Sequence, residues 1–165
     1  MLTTLAVLAV ICVLSLALIL VIPYFAVTKA LVRFFPEDIR KAAAGHPDPS
    51  AGRRIAGYCL TAAAAAVYLG ALCFLGADGL RNHYGFWLLS GRFMLFLYGY
   101  KIFDILVQDQ YIVITRKYYV KFLPETKNCR SWNDRSFNTK NQVIRLIAFP
   151  FAGMLLAWIT LRIGG

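Results

Sequence analysis

Apolar runs at about 2–27, 55–75, 84–107 and 143–163 alternate along this chain with polar stretches at 28–54 and 108–142. A hydrocarbon core about 30 Å thick is crossed by about 20 helical residues rising about 1.5 Å each. Each run therefore predicts a membrane-spanning helix. The pattern as a whole predicts an all-α integral membrane four-helix bundle, one membrane domain over residues 1–165. The stretch between the third and fourth helices is long enough to form a structured loop of its own.

Composition points the same way. With 59% hydrophobic residues and 15% aromatics in 165 residues, the chain carries more apolar surface than one small soluble core can bury. A net charge of +10 invites a nucleic-acid reading, but no basic stretch coincides with a recognisable nucleic-acid motif, and nucleic acid is not an expected partner. The charge instead sorts the loops. The first polar stretch holds Lys29, Arg33, Arg40, Lys41, Arg53 and Arg54. The second, counted through Arg145, holds Arg116, Lys117, Lys121, Lys127, Arg130, Arg135, Lys140 and Arg145. The turn between the second and third runs holds Arg81 alone, and the tail Arg162. Positive-inside placement puts both basic loops in the cytoplasm and both termini outside. Tyr84, Trp87 and Trp158 fall at the outer interface, and Tyr24, Tyr58 and Tyr111 towards the inner one.

No Lys or Arg precedes Lys29, so the first run is expected to be an uncleaved anchor rather than a secretion signal, with Pro23 kinking or ending its cytoplasmic turn. Pro36, the acidic pair Glu37-Asp38, the basic pair Arg40-Lys41 and Gly45 spell a short helix with charges matched to its dipole. The following His46-Pro47-Asp48-Pro49-Ser50 is a stiff connector, and His46 is expected to be a solvated loop residue. In the second run Ala62, Ala66 and Gly70, beside Gly57, Thr61 and Ala65, form rows of small residues that predict the packing centre of the bundle, or else a homodimer seam. Cys12, Cys59 and Cys73 lie within spans and Cys129 in a reducing loop, which makes disulfides unexpected.

The third run departs from a plain anchor. Arg92 falls near its middle, where an unpaired charge costs from about 3 to more than 10 kcal/mol. It needs a partner such as Asp78, Tyr68, a carbonyl freed near Pro150, or an anionic ligand, unless the helix starts late and leaves Arg92 at the interface. Lys101, Asp104 and Gln108 share one helical face. They read either as a snorkelling pair that ends the span or as the lining of a cytoplasm-open cavity. The second loop carries Tyr118, Tyr119, Phe122, Trp132 and Phe137, too aromatic for a floppy tether, and is expected to fold back as helix or hairpin. An acidic residue near the end of the third run, Asp104 or Asp109, is followed by Pro124-Glu125-Thr126 and then Asp134-Arg135-Ser136-Phe137. In this order of residues the chain resembles small bacterial four-span inner-membrane proteins. The resemblance covers about a quarter of the chain, with Glu-Thr in place of Thr-Glu, and implies a location but no activity.

Catalytic templates are absent: the chain has no phosphate-cradling glycine loop, no HExxH, no GxSxG and no histidine pair at ligand spacing. No cofactor and no metal are expected. Three functions stay open. The first is an accessory or binding protein that engages the bilayer's anionic lipids, or a membrane-protein partner, through Arg92, Lys101, Asp104, Gln108 and Trp132. The second is a lipid-modifying enzyme built on Asp104, Glu125 and Asp134. The third is an oligomeric small-molecule transporter, weakened by the lack of a carboxylate in the first run.

Overall fold

The computed structural model describes residues 1–26, 32–33, 35–134 and 139–164, which are helices and turns with no strand among them. Lys29, Arg135, Ser136 and Phe137, named above, lie outside the described residues. In chain order the helices are α1 (Leu2–Val21), α2 (Pro23–Ala26), α3 (Glu37–Ala42), α4 (Ala51–Arg81), α5 (Phe86–Phe103), a π-helix (Asp104–Thr115) and α6 (Thr139–Gly164). Three segments are long and apolar enough to cross a membrane: Leu2–Phe25, Ala51–Arg81 and Asn141–Gly164. Only 11% of the most apolar window of each is buried, so their hydrophobic surface faces outward.

The third run is not among these segments, because Arg92 and Lys101 dilute the hydropathy of α5. It is instead the best-buried helix. Contacts divide the chain into two compact units. The first comprises Met1–Leu14, Ala65–Phe103 and Thr139–Gly165, and its core joins Ile11 of α1, Leu75 of α4, Leu89, Phe93, Phe96 and Leu97 of α5, and Ala157 of α6. A Cβ on Gly153 would lie 3.3 Å from the Ser90 carbonyl and 3.4 Å from the Met94 nitrogen, so α5 and α6 approach backbone to backbone there.

The small-residue rows of α4 do not perform that task. Ala62, Ala65, Ala66 and Gly70 are exposed, and a Cβ on Gly70 would meet nothing within 4 Å. The packing centre is α5, not the second run. Small side chains permit a close approach without demanding one, and here α4 turns them outward.

Pro150 lies inside α6 and has no N–H for the Leu146 carbonyl one turn back. The Tyr98 hydroxyl donates to that carbonyl at 2.7 Å, so the carbonyl freed near Pro150 is taken by Tyr98 and not by Arg92.

The second unit comprises Ser15–Ala64 and Asp104–Asn138. Here Pro23 ends α1 and frees the Ile19 carbonyl, which accepts from Tyr119 Oη at 3.4 Å, while Tyr118 Oη donates to the Leu20 carbonyl at 2.7 Å. The helix foreseen between Pro36 and Gly45 forms as α3 followed by a 3₁₀ turn, Ala43–Gly45, and 46–50 is the extended connector. Residues 108–134 fold back through the π-helix and 3₁₀ turns at Tyr118–Lys121, Pro124–Thr126 and Arg130–Asn133. The π geometry is visible at its end, where Arg116 N donates to the Tyr111 carbonyl five residues back at 2.8 Å. Lys117, at φ 48°, then turns the chain in the left-handed region.

Candidate functional site

Tyr119 and Trp132, with Phe35 against them, form a core of the second unit. Phe35 meets Tyr119 and Trp132 edge-on, with ring centroids 5.3 and 5.4 Å apart, and Ile39 packs in the same cluster. Trp132 is buried, and its indole N–H donates to the Thr126 carbonyl at 2.8 Å. It is the pillar of this loop and has no free polar edge to offer a ligand. Desolvation among these rings pushes the Tyr119 hydroxyl far above its ordinary pKa, with the Tyr118 hydroxyl and the Asp109 charge adding to the rise.

α3 is tied to the turn at Arg130–Asn133 by Asp38, whose Oδ2 accepts the Ser131 N–H at 3.0 Å and whose Oδ1 accepts the Ile39 N–H at 2.8 Å. Burial raises the pKa of this carboxyl. Bonds from the Ser131 side chain and backbone and from the Ile39 backbone prevail and hold it below the usual range. Glu37 pairs with Lys41 at 2.8 Å, one helical turn apart on the surface. His46 is not merely solvated: its Nδ1–H donates to Glu125 Oε1 at 2.8 Å, pinning the connector to the Pro124–Thr126 turn.

Among the described residues, the clefts of this unit include two that bear on the candidate site. One of about 840 Å³ is lined by Glu37, Asp38, Lys41, Arg130, Ser131, Asn133 and Asp134. The other, about 420 Å³, lies beside Pro23 and is lined by Tyr24, His46, Asp48, Arg53 and Phe122 among others. Of the three carboxylates considered for catalysis, Asp134 lines the larger cleft, Glu125 is bonded to His46, and Asp104 sits half-buried in the π-helix and lines neither cleft. Gln108 is buried and donates to Ser15 Oγ at 2.9 Å. Among the described residues no group of three or more His, Cys, Asp and Glu is placed to hold a metal ion.

The exposed charge of this unit is mostly basic. Arg33, Arg40, Arg53, Arg54, Arg116, Lys121, Lys127 and Arg130 all reach solvent. Arg116 donates to the Tyr111 hydroxyl at 2.7 Å and lies over its ring, and Lys121 lies over the ring of Tyr118.

In the first unit Arg92 is 1% exposed, which rules out the late-starting helix. Its Nη2 donates to Asp78 Oδ2 at 2.6 Å, its Nε donates to Thr4 Oγ1 at 2.8 Å, and its guanidinium lies 4.9 Å from the centre of the Tyr84 ring. Of the partners weighed from sequence, Asp78 is the one found; Thr4 was not foreseen, since nothing local connects residues 4 and 92. Lys101 is buried as well. No protein-family model, curated protein or solved structure matches the chain, so the resemblance to small four-span bacterial proteins rests on the quoted residues alone.

Proposed function

We propose that this is a multi-pass protein of the bacterial inner membrane, a four-helix bundle with both termini outside. In this reading its two basic loops form a folded cytoplasmic cap that binds anionic lipid as an accessory protein, not as a catalyst. The observation that carries the reading is how the second unit spends its charges. Glu37, Asp38 and Glu125 are engaged by Lys41, by backbone N–H groups and by His46, while Arg40, Arg53, Lys121, Lys127 and Arg130 are exposed. A basic surface next to apolar helices attracts an anionic leaflet by about 1 kcal/mol per cation close to it. The enzyme reading has less support: of Asp104, Glu125 and Asp134, Asp134 alone lines the 840 Å³ cleft described above, and Glu125 is held by His46.

The test is lipid retention by the purified full chain in neutral detergent, read by native mass spectrometry with phosphatidylglycerol and phosphatidylcholine supplied in equal amounts. Preferential retention of phosphatidylglycerol that falls with added salt is expected. Equal retention of the two lipids at low salt overturns the proposal.

A further inference from the structure

We propose that the 420 Å³ cleft beside Pro23 binds a phosphodiester carrying a primary ammonium group, the headgroup chemistry of phosphatidylethanolamine. The volume lies within the range of small-ligand sites, about 300–1,000 Å³. Its lining is unusual in holding both signs of charge unspent. Arg53 and Asp48 line the same cleft, both are exposed, and neither forms an ion pair or a hydrogen bond through its side chain among the described residues. A ligand with a phosphate for Arg53 and an ammonium for Asp48 satisfies both; an anion alone meets repulsion from Asp48, and a cation alone meets it from Arg53.

The rest of the wall is built to stay in place. His46 is fixed through Nδ1 by Glu125, and Tyr24 meets Phe122 edge-on with centroids 4.8 Å apart. These rings provide an apolar flank at the end of the Leu2–Phe25 apolar segment. If that segment spans the bilayer, the cleft lies at headgroup depth. The lipid source therefore rests on the membrane reading, whereas the charge complementarity does not.

The experiment uses the full chain in neutral detergent and native mass spectrometry, with phosphatidylethanolamine, phosphatidylcholine and phosphatidylglycerol supplied together and soluble glycerophosphoethanolamine in a separate titration. R53Q should weaken ethanolamine-lipid retention about tenfold, the loss expected for one charge-assisted hydrogen bond. R54Q removes the same charge from a neighbouring exposed residue that does not line the cleft, and it should leave that retention unchanged. D48N should erase the preference for ethanolamine over choline, whose quaternary ammonium has no N–H to donate. Circular dichroism of each variant should match that of the parent chain.

Ethanolamine-lipid binding without capture of the soluble headgroup assigns a lipid ligand, and capture of both assigns the headgroup alone as sufficient; each supports the site. Equal losses in R53Q and R54Q, or no preference over phosphatidylcholine in the parent chain, overturns it. Phosphatidylglycerol retention, read in the same spectra, separates this outcome from that of the anionic-surface proposal.

Discussion

Tyr98, Tyr118 and Tyr119 do one kind of chemistry in three places. Each hydroxyl donates to a helix carbonyl at or beside a proline break: Leu146 and Ile19 lie four residues before Pro150 and Pro23, which have no N–H to offer them, and Leu20 is next to Ile19. For Tyr98 the account can be tested with a cycle. Y98F should cost about 1–2 kcal/mol, the penalty for one unsatisfied buried carbonyl. In a P150A background it should cost close to nothing, because the alanine backbone supplies the missing N–H. Thermal unfolding of the four proteins in detergent measures this, and additive losses would mean that Tyr98 acts by packing instead. Asp38 gives a second residue-scale prediction. Its folded pKa lies below its ordinary value, so it contributes stability at pH above about 4, its unfolded range, and that stability is lost as pH falls through the lowered folded pKa. Acid titration below pH about 4, followed by near-ultraviolet circular dichroism, should show the second unit loosening. D38N, uncharged at every pH, should remove that acid-dependent step and leave a lower, flatter stability.

Among the elements, α3 was legible because Pro36, its charge pairs and Gly45 are local signals, and the connector at 46–50 was legible from its prolines. The ends of α4 were not. Hydropathy marks where a bilayer core could lie, not where hydrogen bonding stops, so the 55–75 run is embedded in a helix of 31 residues. The weight of α5 was hidden for a related reason. A helix buried among other helices can carry Arg92 and Lys101 inward, and those residues lower its apparent hydropathy. Links such as Arg92 to Thr4 and His46 to Glu125 join residues 88 and 79 positions apart, which no single-sequence pattern encodes. The glycines distinguish the two accounts of packing. G70L should be tolerated, because open space surrounds that position. G153L should lower the melting temperature sharply, because its side chain would drive α5 and α6 apart. A destabilised G70L with wild-type G153L would reverse the assignment.

For the whole molecule, the central claim is a polytopic membrane protein whose basic loops share the cytoplasmic side. It joins two independent facts: outward-facing apolar surface on three long helices, and fourteen basic residues in the two polar stretches counted above. The most direct measurement is cysteine accessibility in intact cells, starting from a chain in which Cys12, Cys59, Cys73 and Cys129 are replaced. Single cysteines are placed at Pro49, half-buried in the connector, at Asn82, exposed in the turn after α4, and at Asn133, exposed in the last 3₁₀ turn. An impermeant thiol reagent should label the Asn82 position and spare Pro49 and Asn133 until the membrane is permeabilised. Labelling at Pro49 and Asn133 with Asn82 protected, or labelling of all three in intact cells, would contradict the account.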